Sequence, residues 1–97
     1  MNDSEAVEGR TASPVTQPWY RVRTLASLGT AMADIRKSAG LNQDDAAALA
    51  HASRPTMSRL ERGAPSSTNV IIDLLASTGY EVLLVPRGSH VTIQGPS

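Results

Sequence analysis

The chain has 97 residues, no cysteine and a formal net charge of zero, which suits one small domain and excludes a disulfide framework or any cysteine-dependent zinc finger. It is 40% apolar but only 3% aromatic, with no Phe, so one modest core must be built from Leu, Ile, Val, Met and Ala. The opening Met1-Asn2-Asp3-Ser4-Glu5 lacks a basic region followed by an apolar stretch, and no run approaches the ~18 apolar residues of a membrane span, so a soluble cytoplasmic protein is expected.

Residues 1–18 read as an unstructured tail, because Ser, Glu, Gly, Thr, Gln and Pro dominate and Ala6, Val7 and Val15 show no period. Order is expected from Trp19, where Tyr20 and Val22 alternate with Arg21 and Arg23 as in a short edge strand. Thr24 is placed to cap a first helix whose apolar residues Leu25, Leu28, Met32, Ile35 and Ala39 recur in steps of three and four. Gly40 ends it, with Arg36 and Lys37 in the last turn, where cations suit the macrodipole.

Asn42 caps a second, short helix over residues 43–50, with Asp44 and Asp45 in its first turn. Ser53 caps a third over residues 53–62. Pro55 stands in its first turn, where the missing N–H costs nothing, and Met57 and Leu60 form its buried stripe. Gly63 and Pro65 close it. Ser66 or Ser67 caps a fourth helix with Val70, Ile71, Leu74 and Leu75 inward, ended by Gly79. Tyr80-Glu81-Val82-Leu83-Leu84-Val85 then reads as a strand stopped by Pro86. Arg87-Gly88 is placed to turn the chain into a weaker alternating segment, residues 90–94.

Two short helices separated by two or three residues must cross steeply, as in a helix-turn-helix, and Ala46, Ala47 and Ala50 let the backbones approach. A generic four-helix bundle is the other arrangement this spacing allows. The charge distribution does not decide between them, since an excess of this size is also ordinary surface scatter. Residues 20–63 carry seven cations against Asp34, Asp44, Asp45 and Glu61, and DNA recognition needs local rather than total positive charge.

The unbroken segment from Leu41-Asn42-Gln43-Asp44-Asp45 through Ser53-Arg54-Pro55-Thr56-Met57-Ser58-Arg59-Leu60-Glu61-Arg62-Gly63 resembles the Xre/Cro-type helix-turn-helix family. With the flanking helices the resemblance covers about residues 24–79. It implies a mainly α, lambda-repressor-like domain of four to five helices with a short C-terminal strand, over residues 19–86, followed by a tail or weak strand at 87–97. Three departures from the family pattern involve four positions. Ala46 and Ala50 replace larger apolar residues, so the core needs support from elsewhere. His51 replaces the turn glycine, where a positive φ is expected. Pro55 stands where relatives reach a base edge, and it can offer only apolar contact, for instance to a thymine methyl.

The resemblance implies that the third helix enters the major groove of double-stranded DNA. Arg54 and Arg59 are then candidates for gripping guanine, with Ser58 beside them; Gln43, Ser53 and Thr56 are candidates for phosphate. Arg62 reads rather as a solvated cation, Arg36 and Lys37 as either phosphate contacts or a solvated face, and Glu61 as structural, with an arginine such as Arg36 as its partner. The flanks, Tyr20 to Gly29 and Leu74 to Val85, are similar to HipB-like antitoxins. There the strand pairs with its copy in a second subunit, so Tyr80, Val82, Leu83, Leu84 and Val85 are expected to form a homodimer sheet; a local hairpin is the alternative.

The function implied is a dimeric repressor of an inverted-repeat operator, and more narrowly a toxin–antitoxin regulator whose partner is a HipA-like kinase. The competing function is a protein-interaction module with the same fold and little specific DNA binding. No cofactor, metal site or enzymatic activity is expected: the histidines lack ligand spacing, adjacent Asp44 and Asp45 point apart, and no nucleophile motif is present.

Overall fold

A computed structural model describes residues 18–95 of the chain. The tail expected at 1–18 therefore lies, up to residue 17, outside the described residues, as do residues 96–97. The remainder divides into two units: Tyr20–Leu84, which holds every helix, and residues 18–19 with 85–95.

Among the described residues four helices form: α1 (Leu25–Ser38), α2 (Gln43–Leu49), α3 (Arg54–Glu61) and α4 (Thr68–Ser77). Their starts follow from local chemistry. Thr24 accepts from the Ser27 N–H while Ser27 accepts from the Thr24 N–H, and Asn42 and Asp45 make the same reciprocal pair ahead of α2. Ser53 accepts from the Thr56 N–H, with Pro55 in the first turn of α3. Ser67 occupies the cap of α4, but its hydroxyl turns to the Asn69 side chain instead of the helix backbone.

Their ends share one device. In each, the N–H two residues past the cap reaches back to a carbonyl in the last turn: Leu41 to Arg36 at 3.1 Å, Ala52 to Ala47 at 2.8 Å, Ala64 to Arg59 at 3.0 Å and Tyr80 to Leu75 at 2.8 Å. This closure requires a left-handed residue just past the cap. Glycine supplies it after three helices, and His51, at φ 53°, supplies it after α2. The positive φ expected at His51 is therefore present, in a residue for which that region is uncommon.

α1 packs on α3, and α2 packs on both α3 and α4. The core comprises Met32 and Ile35 of α1, Ala46, Ala47 and Ala50 around α2, Met57 and Leu60 of α3, and Val70, Leu74 and Leu75 of α4. Partly buried residues pack against this cluster both from the helices, Leu28 and Ile71, and from outside them, Tyr20, Ala52 and Tyr80. The Tyr20 and Tyr80 rings lie 6.2 Å apart at 48°. Tyr20 also donates its hydroxyl to Asp34. That hydrogen bond, then burial and the Asp34 charge, pushes its pKa up to about 12.

The first helix buries a different stripe from the one its spacing suggests. Leu25 and Ala39 are exposed, whereas Gly29, Ala31 and Arg36 are buried with Met32 and Ile35. Gly29 is buried because α1 passes directly over the end of α3. A Cβ on Gly29 would lie 2.6 Å from the Leu60 carbonyl oxygen, 2.7 Å from that of Glu61 and 2.8 Å from the Gly63 nitrogen.

The expected strands are corrected. Among the described residues no strand is present, and residues 20–23, 80–85 and 90–94 have no ladder. Alternation of side chains specifies an extended backbone, but a strand exists only where a second edge takes up its N–H and C=O groups. The turn expected at Arg87-Gly88 does form, with the Ser89 N–H 3.2 Å from the Pro86 carbonyl and Gly88 at φ 84°. No helix among the described residues is long and apolar enough to cross a membrane.

Candidate nucleic-acid interface

α3 is two-faced by construction. At 3.6 residues per turn, Met57 and Leu60 fall on one side and are buried, while Arg54, Pro55, Ser58, Arg59 and Arg62 fall on the other. Arg54, Pro55 and Arg59 are exposed, and Thr56 and Ser58 are half-buried at the margins. The two arginines expected to read bases thus stand on the outer ridge of the helix.

Short polar contacts order this ridge. Ser53 and Thr56 hydroxyls lie 2.9 Å apart, and Arg59 Nη2 donates to Thr56 Oγ1 at 3.3 Å. Ser58 Oγ accepts from Arg62 Nη1, so the cation read as merely solvated is tied to a candidate base-edge residue. Arg54 Nη1 lies 4.0 Å from Asp44 Oδ2 on α2. The ridge therefore presents the guanidiniums of Arg54, Arg59 and Arg62, and among the described residues Asp44 is the carboxylate that one of them approaches.

Beneath the ridge an ionic network fixes how α3 meets its neighbours. Arg36 Nε and Nη2 donate to the two carboxylate oxygens of Glu61 at 2.6 and 3.0 Å, and Arg36 Nη1 donates to the Leu41 carbonyl at 2.9 Å. Gln43 Nε2 donates to Glu61 Oε1 at 3.0 Å. One glutamate thereby binds α1 and the start of α2 to the end of α3. Burial pushes the Glu61 carboxyl up, but the hydrogen bonds from Arg36 and Gln43 and the charges of Arg36 and Lys37 outweigh it and hold the group below the usual carboxylate range. The hydrogen bond to Glu61 likewise raises the Arg36 pKa against its burial.

This network revises one expectation, adds a partner to a second residue and supports a third expectation. Arg36 is buried in an ion pair, so it is neither a phosphate contact nor part of a solvated face. Gln43, expected at a phosphate, spends one amide hydrogen on Glu61. Glu61 is structural and paired with Arg36, as the sequence suggested. The close approach at Gly29 had no signal in the sequence, since it depends on residues more than thirty positions away.

The candidate dimerisation residues lie apart from this ridge in chain order. Tyr80 is half-buried against the core, while Val82, Leu83, Leu84 and Val85 are exposed, Leu84 to 91%. The sequence model of a family described as a helix-turn-helix domain matches residues 27–81, which includes α2, the His51 turn, α3 and α4. No curated protein matches the chain.

Proposed function

Because the chain belongs to the helix-turn-helix domain family, we propose that it is a sequence-specific DNA-binding transcriptional repressor. The observation that carries this reading is the outer ridge of α3, where Arg54 and Arg59 project from a helix anchored by Met57 and Leu60. A guanidinium offers guanine O6 and N7 a bidentate grip, each good pair contributing about 1–3 kcal/mol of discrimination. Ser58 and Pro55 stand at the same edge for a base hydroxyl-type contact and a thymine methyl. In this reading Ser53, Thr56 and the remaining amide hydrogen of Gln43 serve phosphate.

Titration of a labelled duplex carrying the chain's own upstream region tests this. Arg59→Ala, a surface change, should keep the thermal transition and weaken specific binding by about tenfold per copy, in line with the loss of a bidentate pair. Equal binding of scrambled and upstream duplexes by both proteins would reject the reading.

The proposal includes a homodimer formed through residues 80–85 and an inverted-repeat operator with half-sites about 34 Å apart. Its support is the exposed apolar run Val82 to Val85, which gains a cover and a hydrogen-bonding partner if two copies pair edge to edge. Leu84→Lys should yield monomers in sedimentation at concentrations where the parent is dimeric. An unchanged dimer would place the interface elsewhere.

The finer role, a cytoplasmic antitoxin that neutralises a HipA-like kinase and represses its own operon, rests on the likeness of the flanks to HipB-like antitoxins. A neighbouring kinase whose activity is unaffected by the chain would reject it. The exposed run at 82–85 equally favours a second reading, an interaction module with little specific DNA binding, which the same duplex titration separates.

A further inference from the structure

Arg54 occupies an unfavourable place. It is the first residue of α3, and the N-terminal end of a helix repels a cation through its unpaired N–H groups. Its carboxylate neighbour offsets this: Asp44 Oδ2 lies 4.0 Å from Nη1, with the two side chains 68% and 64% exposed. Asp44 itself has no capping duty, since the adjacent Asp45 makes the reciprocal bond with Asn42.

The contact engages one terminal nitrogen of Arg54, and among the described residues Arg54 makes no other hydrogen bond or ion pair. The guanidinium is planar with five N–H donors. One edge can face Asp44 while Nε and Nη2 present the fork that fits guanine O6 and N7.

We propose that Asp44 is a specificity-determining residue that makes Arg54 prefer a base edge to a phosphate. This rests on the DNA-binding reading above. On a cognate site Arg54 grips guanine without leaving Asp44. On any other sequence its best use is a backbone phosphate, and the same free fork would then bring that phosphate's negative charge beside the Asp44 carboxylate, a repulsion that the neutral guanine edge avoids. Asp44 therefore penalises non-cognate complexes selectively. An exposed ion pair contributes about 0.2–1 kcal/mol, so the penalty is roughly 1.4- to 5-fold per copy.

The test compares the parent chain, Asp44→Asn, Arg54→Ala and the double variant on the upstream duplex and a scrambled one over a range of salt. Asp44→Asn should strengthen scrambled binding by roughly 1.4- to 5-fold per copy and cognate binding by less. It should also steepen the scrambled slope of log affinity against log salt by about 0.9 per copy, the signature of one added phosphate contact. Both effects should vanish in the Arg54→Ala background.

Equal strengthening on both duplexes, persistence of the effect without Arg54, or no change would each overturn the proposal while leaving DNA binding standing. A parent chain that does not distinguish the two duplexes would overturn the DNA-binding reading and this inference with it.

Discussion

Replacing Glu61 by Ala should cost about 3–5 kcal/mol of stability, the range for removing one partner of a buried ion pair. The Arg36 and Glu61 side chains are only 11% and 8% exposed, so Arg36 would keep its charge in a site that no longer offers a carboxylate. Gln43 would lose its acceptor at the same stroke. A domain of this size has a total stability of about 5–10 kcal/mol, so the variant should lose roughly a third to all of it. Urea titration followed by helical circular dichroism measures the loss. A cost below about 1 kcal/mol would mean that the network is exposed and replaceable.

The pH dependence has a defined sign. The folded Glu61 carboxyl lies below its ordinary value, so its contribution is fully present above the unfolded value of about 4.3. That contribution is lost as pH falls through the folded value. Glu61→Gln keeps one side-chain acceptor oxygen but does not titrate. The stability gap between parent and Glu61→Gln should therefore be constant near neutrality and narrow as the solution is acidified below about pH 4.3. A gap that widens on acidification would contradict the assignment.

Gly29→Ala is expected to destabilise by about 2 kcal/mol or more, lowering the melting temperature by roughly 8–16 °C. In an open helix this exchange stabilises by about 1 kcal/mol. Here the added carbon would meet two carbonyl oxygens and one nitrogen, all closer than 3.0 Å and all backbone, so α1 and the end of α3 must separate. Overpacking of this kind typically costs 1–3 kcal/mol, occasionally more. Separation also pulls on Glu61, whose own carbonyl is among the three atoms. Thr30→Ala, one residue on and exposed, is the control for helix propensity and should be neutral or slightly stabilising. An unchanged melting temperature for Gly29→Ala would mean that the two helices lie farther apart than described.

What could be read from the sequence is what local chemistry decides. Thr24, Asn42 and Ser53 announce helix starts because a capping side chain acts on N–H groups two or three residues away. Gly40, Gly63 and Gly79 mark ends because the closing turn needs a left-handed residue, and the same requirement identified His51 from the family's glycine. Arg54 and Arg59 were legible as outward residues because Met57 and Leu60 fix the inward side of α3.

What could not be read depends on distant partners. Arg36, in the last turn of α1, carries the pattern of a surface cation serving the macrodipole; only Glu61, 25 positions on, makes it a buried one. Gly29 resembles any tolerated helical glycine until α3 is laid across it. Gln43 reads as a phosphate donor, but that Glu61 takes one of its amide hydrogens at 3.0 Å depends on a partner 18 positions on. The segment 80–85 has the alternation of a strand, but its pairing edge is not supplied within one copy of the chain's described residues.

The most direct measurement is a backbone amide chemical-shift titration of the isotopically labelled chain with a duplex from its upstream region. The account expects the largest perturbations at Ser53 through Arg59, with a second set near Gln43. Perturbations that leave α3 untouched and gather at residues 80–85, or none at all at saturating duplex, would contradict it.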